Sequence, residues 1–341
     1  MKAGMYVPVP HVTAHSERLA ATTAAAQEPL LPLEFDPGFT LALEETLEAE
    51  RLGYDIALFA ERHMGPDLEA WVLASAVASH TSRIRIMPAS NPDFWHPNLL
   101  AKLAASLDRI APGRAAINFV TGWGETEIQY FSTQRHANDD ARYARAEAFI
   151  ETMRATWSAA ADSPLPPAVG AEFFPAPLPL VPGEHPIPIY AVSRSDRGLD
   201  MVAKSADYWF ADYGGGFDRT FDDVLATAAR SIADMRARAE RFGRVVKFGI
   251  SALVLPAESE EAGWALLDRK RQEILAKTPH LVMASLGAAG ARLVGPPDLI
   301  AERAAAFAEL GADLLLCKYI PESGALEAIA DAIKPAVSVG S

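Results

Sequence analysis

The amino-acid sequence predicts an α/β fold, and within that class a (β/α)8 TIM barrel with insertion segments. Short apolar runs alternate with stretches that carry apolar residues at helical spacing, and about eight such pairs follow one another. This alternation predicts parallel strands, because each crossover between parallel strands needs a helix. Eight such units in a chain of 341 residues fit one closed barrel better than an open sheet. A doubly wound sheet is the alternative.

The predicted elements keep this alternation along the chain. Gly53 is expected to end the first helix in the left-handed conformation, and Pro112 and Gly113 close a later one. The predicted strands are 4–8, 55–60, 84–88, 115–120, 187–192, 208–211, 246–255 and 313–316. The predicted helices are 37–52, 70–80, 98–110, 141–157, 196–205, 221–242, 297–310 and 324–333.

Three segments interrupt the alternation, and we interpret them as insertions into a single domain over residues 1–341. They cover about 11–36, 159–186 and 257–293. The second belongs to a stretch, 163–188, that holds nine of the 25 prolines and cannot be regular helix. The third is helical and longer than one crossover needs, which makes it a candidate lid.

Composition excludes several classes of protein. Cys317 is the single cysteine, so a disulfide framework and a cysteine-based zinc site are both excluded. The net charge of −13 disfavours binding to nucleic acid, which needs a basic surface. The sequence contains no run of 18 apolar residues, so no membrane span is expected. The first ten residues do not resemble a signal peptide. We therefore expect a cytoplasmic enzyme.

Familiar catalytic motifs are missing from the sequence. It contains no GxGxxG, GxxxxGK[ST], HExxH or GxSxG pattern, and its eight histidines lack the spacing of metal ligands. The candidate nucleophiles have no evident histidine partner. If the protein is an enzyme, a bound organic cofactor is expected to carry the difficult step.

Polar residues follow directly after several predicted strands, where a barrel places its active site. The segment 193–198 lies between a strand and a helix, and Ser195 either binds an anion at the helix N-terminus or only caps the helix. Asn118 needs a structural hydrogen bond or a ligand contact, because an unpaired amide inside a strand is costly. The glycines 214–216 are interpreted as a turn, and Cys317 as a core residue.

The remaining candidates each have a structural interpretation as well. His63 is either an acid–base group or a solvated side chain. Trp123 either stacks on a planar ligand or fills the mouth of the barrel. Tyr319 either donates a proton or ends the last strand. Glu61 and Arg62 either bind a ligand or pair with each other, and the aromatic residues within 91–96 either shape a pocket or pack on the rim.

The segment NFVTGWGETE, residues 118–127, resembles the bacterial-luciferase-like flavin monooxygenases. Within that family, these residues most resemble the alkanesulfonate, dimethylsulfone and pyrimidine monooxygenases, which carry N-[LV]-V-[TS]-G at this place. Further similarity lies in segments 100–114, 142–149, 193–198 and 293–311, and it covers the chain to about residue 337. The order of these motifs is specific, whereas each alone is not.

The resemblance implies a barrel that binds reduced FMN at its C-terminal face and receives it from a separate NAD(P)H-dependent flavin reductase. In this family a flavin–oxygen adduct transfers one oxygen atom of O2 to a small organic substrate, and the other atom leaves as water. Family members are usually dimers or tetramers, so a homo-oligomer is implied here. The resemblance gives no support for a metal, a membrane or nucleic acid as partner.

Residue by residue, the resemblance assigns flavin-site positions to several side chains. Catalytic positions are expected at His63, Asn118, Trp123 and Tyr319, and Tyr319 matches a tyrosine beside the site of sulfonate enzymes. Ser195 matches a residue that binds the FMN phosphate, and a serine hydroxyl can donate a hydrogen bond to a phosphate oxygen. The expected cofactor-binding residues are Glu61, Arg62, Asn118, Glu127, Arg142, Tyr143, Ser193 and Ser195.

Two departures from the family pattern leave parts of the chemistry open. Ser251 and Leu253 stand where sulfonate enzymes carry an arginine and a histidine, so the match to a sulfonate substrate is weakened. Ala89 replaces a threonine linked to oxygen chemistry at the flavin N5, which leaves the C4a and N5 adducts both open. Two rival functions share the barrel: a deazaflavin-dependent oxidoreductase that transfers hydride, and a binding protein without catalysis.

Overall fold

A computed structural model describes residues 1–8, 36–63, 67–121, 125–132, 136, 138–158, 186–214, 218–277, 287–320 and 322–337. The strands are β1 Lys2–Tyr6, β2 Ile56–Phe59, β3 Arg85–Ser90, β4 Ile117–Val120, β5 Ile189–Val192, β6 Tyr208–Phe210, β7 Lys247–Pro256, β8 Leu293–Gly295 and β9 Ala312–Lys318. The helices are α1 Pro37–Leu52, α2 Ala70–Ala78, α3 Pro97–Ile110, α4 Glu125–Phe131, α5 Asp139–Ser158, α6 Asp196–Ser205, α7 Phe221–Arg241, α8 Glu260–Lys277, α9 Pro297–Glu309 and α10 Ala325–Ile333.

The strands form one sheet in the order β6-β5-β4-β3-β2-β1-β9-β7-β8, and β6 also pairs with β7. That last pairing closes eight strands into a barrel. The neighbours are parallel in the pairs β1–β2, β1–β9, β3–β4, β4–β5, β5–β6, β7–β8 and β7–β9. The predicted (β/α)8 barrel is therefore confirmed, and the open doubly wound sheet is excluded. By internal contacts the chain divides into two compact units. Unit 1 comprises Met1–Glu69, Ala211–Ile232 and Phe248–Ser341, and unit 2 comprises Ala70–Phe210 and Ala233–Lys247.

Local sequence explains the bounds of the first helix in unit 1. The Asp36 carboxylate accepts hydrogen bonds from the backbone N–H groups of Gly38 and Phe39, at 2.8 and 3.2 Å, and Pro37 occupies the first turn. Gly53 has φ +87° and ends the helix in the left-handed region, as predicted from the sequence.

In unit 2, Arg114 lies just before β4 and connects the end of α2 to the residue that precedes β3. The Arg114 guanidinium donates to the Thr81 hydroxyl at 2.9 Å, to the Ile84 carbonyl at 3.0 Å and to the Ala78 and Thr81 carbonyls at 3.0 Å. These contacts add guanidinium donors to carbonyl groups at and just beyond the end of α2. Tyr190 and Tyr208 stack at 4.2 Å between ring centroids and join β5 to β6.

Three elements differ from the sequence prediction in their presence or their bounds. Residues 293–295 form β8, which pairs with the end of β7, whereas the sequence pattern joined them to the third insertion and to the following helix. Three residues are too few to show a strand period. Residues 125–131 form the short helix α4 where a loop was expected. The first strand covers 2–6 rather than 4–8. Most of the first two insertions lies outside the described residues, and the third contains α8.

Among the described residues, no helix combines the length and apolar character needed to cross a membrane.

Candidate functional site

The end of β5 and the start of α6 form a compact polar turn in unit 2. Ser195 has φ −80° and ψ 149° and caps α6, with its Oγ accepting from the Gly198 N–H at 3.3 Å. Two residues earlier, Ser193 is fixed by its carbonyl, which accepts from the Trp209 indole at 3.2 Å. The turn thus presents two hydroxyl groups beside the N–H groups of a helix N-terminus, an arrangement suited to an anion.

Helix α5 adds a tyrosine to this turn. The Tyr143 Oη lies 3.3 Å from Ser193 Oγ, and the Ser195 hydroxyl donates to it at 3.1 Å. The Arg142 guanidinium lies over the Tyr143 ring, 4.9 Å from its centroid. Arg142, Tyr143, Ser193, Ser195 and Gly198 are hereafter called the Tyr143 cradle. Sequence analysis predicted four of these five as cofactor-binding residues, and the structure brings them together; their role stays a prediction.

Gly198 is the one residue of the Tyr143 cradle that was not among the expected cofactor-binding residues. A Cβ at this position would lie 1.9 Å from Ser193 Oγ and 2.6 Å from Tyr143 Cζ. Such distances cannot occur, so any side chain here would force the hydroxyl and the ring apart. The signal in the sequence is the glycine two residues into a helix, where glycine is otherwise unfavourable.

The cradle is electrostatically prepared for negative charge. Burial acts to raise the pKa of Tyr143, but hydrogen bonds with Ser193, Ser195 and Arg142 outweigh it and leave the pKa below its usual value. The Arg142 Nε is buried without a hydrogen-bond partner among the described residues, although its Nη2 contacts Asp139 at 3.1 Å. A donor buried in this way favours an acceptor from a ligand.

Ion pairs fix the two helices of the cradle to each other. Glu147 on α5 pairs with Arg197 in the first turn of α6 and with Lys204 at 3.3 Å. Arg197 also lies 3.9 Å from Asp140. These pairs connect α5 to α6, the two helices that supply Tyr143 and the Ser195 cap.

A second group of polar atoms lies at the end of β4, also in unit 2. Asn118 is 7% exposed, and its Oδ1 has no hydrogen-bond partner among the described residues. The Thr121 Oγ1 is also buried and also has no hydrogen-bond partner among the described residues. Glu127 on α4 is buried as well. Burying an unsatisfied acceptor costs about 1–3 kcal/mol, and a ligand that donates to it would recover that loss. Because the Asn118 Oδ1 lacks a structural partner within the described part of the chain, the ligand-contact interpretation is favoured.

The loop after β3 holds a buried carboxylate, Asp93, that no sequence motif marked as a candidate. Asp93 has a side chain only 1% exposed, and its Oδ1 lies 2.7 Å from His136 Nε2 and 3.6 Å from Arg145 Nε. The Ser132 hydroxyl donates to the Asp93 carbonyl at 2.5 Å. The loop after β3, the segment after α4 and helix α5 therefore meet at one residue. In the same loop, Trp95 packs edge-on against Trp71 at 6.5 Å.

We expect Asp93→Asn to lower the free energy of unfolding by about 1–3 kcal/mol, because the buried ion pair with Arg145 is lost and the contact with His136 loses its carboxylate charge. The measurement is a urea titration followed by circular dichroism. Asp331→Asn, on the exposed side of α10, serves as the control and should leave the midpoint unchanged. An Asp93→Asn protein as stable as wild type would mean that the neutral amide serves this loop equally well.

The other candidates lie in unit 1. His63 Nε2 is 3.5 Å from Glu61 Oε1, and Arg62 donates to the Tyr6 hydroxyl. Glu61 therefore lies beside His63, and the roles predicted for Glu61, Arg62 and His63 stay predictions. Trp123 lies outside the described residues.

Tyr319 turns toward the helix layer of unit 1. Its hydroxyl donates to Glu45 on α1 at 2.6 Å, and burial together with this carboxylate holds the pKa of Tyr319 well above its usual value. A proton held so tightly is poorly suited to donation, so the role of Tyr319 stays a prediction with a competing structural explanation. Cys317 is fully buried, and burial raises the pKa of its thiol, as expected of a core residue.

No three His, Cys, Asp or Glu side chains come together as a metal site in the part of the chain that the structure describes.

Comparison with known proteins places this geometry in context. Residues 11–314 match the family model described as luciferase-like monooxygenase. A riboflavin lyase solved with modified FMN and riboflavin superposes with a TM-score of 0.74 at 17% identity, over 100% of this chain and 93% of that one. The EDTA monooxygenase of Chelativorans sp. BNC1 gives 0.69 at 19% identity, over 98% and 92%. An F420-dependent secondary alcohol dehydrogenase gives 0.69 at 14% identity, over 99% and 98%.

Proposed function

The chain belongs to the luciferase-like monooxygenase family, and from this premise we propose that it is a two-component monooxygenase that uses reduced FMN. It inserts one oxygen atom of O2 into a small organic substrate. The family match confirms the predicted family and supports a flavin-dependent monooxygenase. The narrower similarity to the sulfonate, dimethylsulfone and pyrimidine branch stays a prediction.

The Tyr143 cradle is the observation that carries this proposal. It combines two serine hydroxyls, a tyrosine with a lowered pKa and an arginine with a buried, unpartnered Nε at the N-terminus of α6. Hydroxyl and guanidinium donors beside a helix N-terminus suit a phosphate monoester. The residues present therefore fit the phosphate of FMN, which Arg142, Tyr143, Ser193 and Ser195 would hold.

The described polar residues outside the cradle have roles that follow from their chemistry. Reduced FMN, when bound, supplies the electrons that activate O2. The buried Asn118 Oδ1 is an acceptor suited to an N–H group of the isoalloxazine ring, and Glu127 belongs to the same proposed contact. In unit 1, His63 Nε2 beside Glu61 is a group that can hold or move a proton near neutral pH. The proposed role of residues 257–293 is to exclude water from the site during the reaction.

The proposal includes partners that are implied by the same chemistry. A separate NAD(P)H-dependent flavin reductase would deliver reduced FMN, and this agrees with a sequence that carries no GxGxxG dinucleotide-binding pattern. We also propose a cytoplasmic homo-oligomer, a dimer or a tetramer. A deazaflavin-dependent hydride transfer is the second candidate, because an F420-dependent dehydrogenase covers nearly the whole chain at the level of fold.

Anaerobic titration of the purified protein with reduced FMN tests the proposal. We expect saturable binding followed by tryptophan fluorescence, and weaker binding by about tenfold in Ser195→Ala, since a hydrogen bond to a charged group contributes about 1.5–3 kcal/mol. Thr220→Ala is the matched control, because the Thr220 hydroxyl accepts from the Asp223 N–H and caps α7 as Ser195 caps α6. Both variants lose a helix cap, but only Ser195→Ala should lose affinity.

Turnover separates the candidate functions. The proposed enzyme consumes O2 and oxidises substrate only when reduced FMN is supplied. Activity with reduced F420 and indifference to O2 would establish the second candidate instead. Failure to bind either reduced cofactor at high micromolar concentration would contradict both and favour a binding protein without catalysis.

A further inference from the structure

Three polar side chains lie at the carboxyl ends of neighbouring strands in unit 1. Tyr6 and Lys318 are the last residues of β1 and β9, and Arg62 follows β2 by three residues. In the register of the sheet, Tyr6 lies opposite Leu58 of β2, and Met5 lies opposite Cys317 of β9. The carboxyl ends of parallel strands in a barrel are where ligands bind.

The face on which these side chains lie follows from a glycine. A Cβ at Gly4 would lie 3.2 Å from the Leu316 side chain and 3.3 Å from that of Leu314. Gly4 and Leu316 therefore share one face of the sheet, and residues two positions further along each strand lie on the same face. Tyr6 and Lys318 are those residues. The opposite face carries Tyr319, whose hydroxyl reaches helix α1.

Direct contacts connect the three side chains. The Lys318 Nζ lies 5.0 Å from the centroid of the Tyr6 ring. Arg62 donates a hydrogen bond to the Tyr6 hydroxyl, which can in turn donate its own proton to a ligand. The Arg62 Nε is buried and has no hydrogen-bond partner among the described residues. The negative charge of Asp67 also acts on Tyr6 and favours the protonated hydroxyl, which is the form that can donate to a ligand.

The charge state of Lys318 agrees with this geometry. Burial, and then the positive charge of Arg62, lower the pKa of Lys318 to about 8. An ammonium beside a guanidinium in a poorly hydrated place is unfavourable, and an anion in contact with both would relieve that repulsion. Binding of such an anion should consequently raise the pKa of the lysine.

We propose that Tyr6, Arg62 and Lys318 form a binding site for an oxyanion of the substrate, a carboxylate or a group of like geometry such as a sulfonate or a phosphate ester. The proposal rests on the proposed function, because it names the substrate class of that enzyme. The weakened match to a sulfonate substrate came from neutral residues on β7, whereas this site lies on β1, β2 and β9. Arg62 can hold two oxygens as a fork, and Lys318 contributes a point charge.

Calorimetric titration of the full-length, flavin-free protein with benzoate tests the site. We expect binding of benzoate, no binding of benzamide, and affinity about tenfold or more weaker in Lys318→Met and in Arg62→Gln, since each loses a charge-assisted hydrogen bond. Lys334→Met, at an exposed position, should match wild type. Benzenesulfonate and phenyl phosphate are titrated in parallel, and the acid whose binding is most sensitive to Lys318→Met identifies the preferred oxyanion.

Proton uptake distinguishes this role from a structural one. Near pH 8, where Lys318 is about half protonated, benzoate binding should take up a proton, measured by repeating the titration in buffers of different ionisation enthalpy. At about pH 6 the lysine is already charged and uptake should vanish. Lys318→Arg retains the charge, so it should bind benzoate and show no uptake at either pH.

Two results would overturn the site: no binding of any of the three anions by wild type at millimolar concentration, or benzoate binding that Lys318→Met leaves unchanged in a folded protein. The assay uses no flavin. A protein that binds benzoate in this way but no reduced FMN would therefore contradict the proposed function and leave the oxyanion site intact.

Discussion

Gly198→Ala is expected to abolish saturable binding of reduced FMN over the range in which wild type is saturated. The added methyl group would lie 1.9 Å from Ser193 Oγ and 2.6 Å from Tyr143 Cζ, so the two side chains that define the Tyr143 cradle must separate. A displacement of about 1 Å at a preorganised site can reduce activity by about a hundredfold. We expect a loss of affinity of that order, together with about 1–3 kcal/mol of lost stability from overpacking.

Gly243→Ala provides the matched control within the same unit. Gly243 has φ +64°, and a Cβ there has no neighbour within 4 Å. The alanine is therefore strained by about 1–2 kcal/mol through its backbone conformation, without touching the cradle. Similar destabilisation with unchanged FMN affinity is expected. If Gly198→Ala bound reduced FMN as tightly as wild type, the phosphate would have to be held elsewhere.

The fold could be predicted from the sequence because each βα unit carries its own local signals. Alternating apolar periods and the glycine at position 53 reflect local backbone physics, which does not depend on the rest of the molecule. The strand Leu293–Gly295 was missed for a complementary reason. It forms because it pairs with the end of β7, and three apolar residues are too few to predict that contact.

The candidate site was predictable only in part. Ser195 was visible as a helix cap, and the family pattern pointed to Tyr143, but their contact joins residues 52 apart in sequence. Asp93 was not visible at all, because its partners His136 and Arg145 come from two later segments. Lys318 follows the predicted last strand, 313–316, and carries no motif of its own. Its lowered pKa arises from burial and from Arg62, which is remote in sequence. Contacts of this kind depend on the packing of the whole barrel.

Glu260→Gln is expected to lower the free energy of unfolding at neutral pH by about 3 kcal/mol. In unit 1 the Glu260 carboxylate accepts from Arg292 at 2.5 Å, from Arg303 at 2.9 and 3.1 Å, and from the Trp264 indole at 3.3 Å. Arg303 is 8% exposed, so loss of the carboxylate charge leaves two arginines close together with little solvent to screen them. The magnitude follows from the pKa of Glu260, which these hydrogen bonds lower from 4.5 to about 2, at 1.36 kcal/mol per unit.

The pH dependence of this difference gives the sharper measurement. Because the folded-state pKa of Glu260 lies below the unfolded-state value, its stabilisation is complete above pH 4.5 and disappears as the pH falls toward about 2. The gap in urea midpoint between wild type and Glu260→Gln should therefore be constant from neutral pH to about pH 5 and lose more than half of its size by about pH 3. Glu258→Gln changes an exposed carboxylate two residues away and should show no gap at any pH. A gap that persisted unchanged at pH 3 would show that the shape of the Glu260 side chain, rather than its charge, stabilises the two arginines.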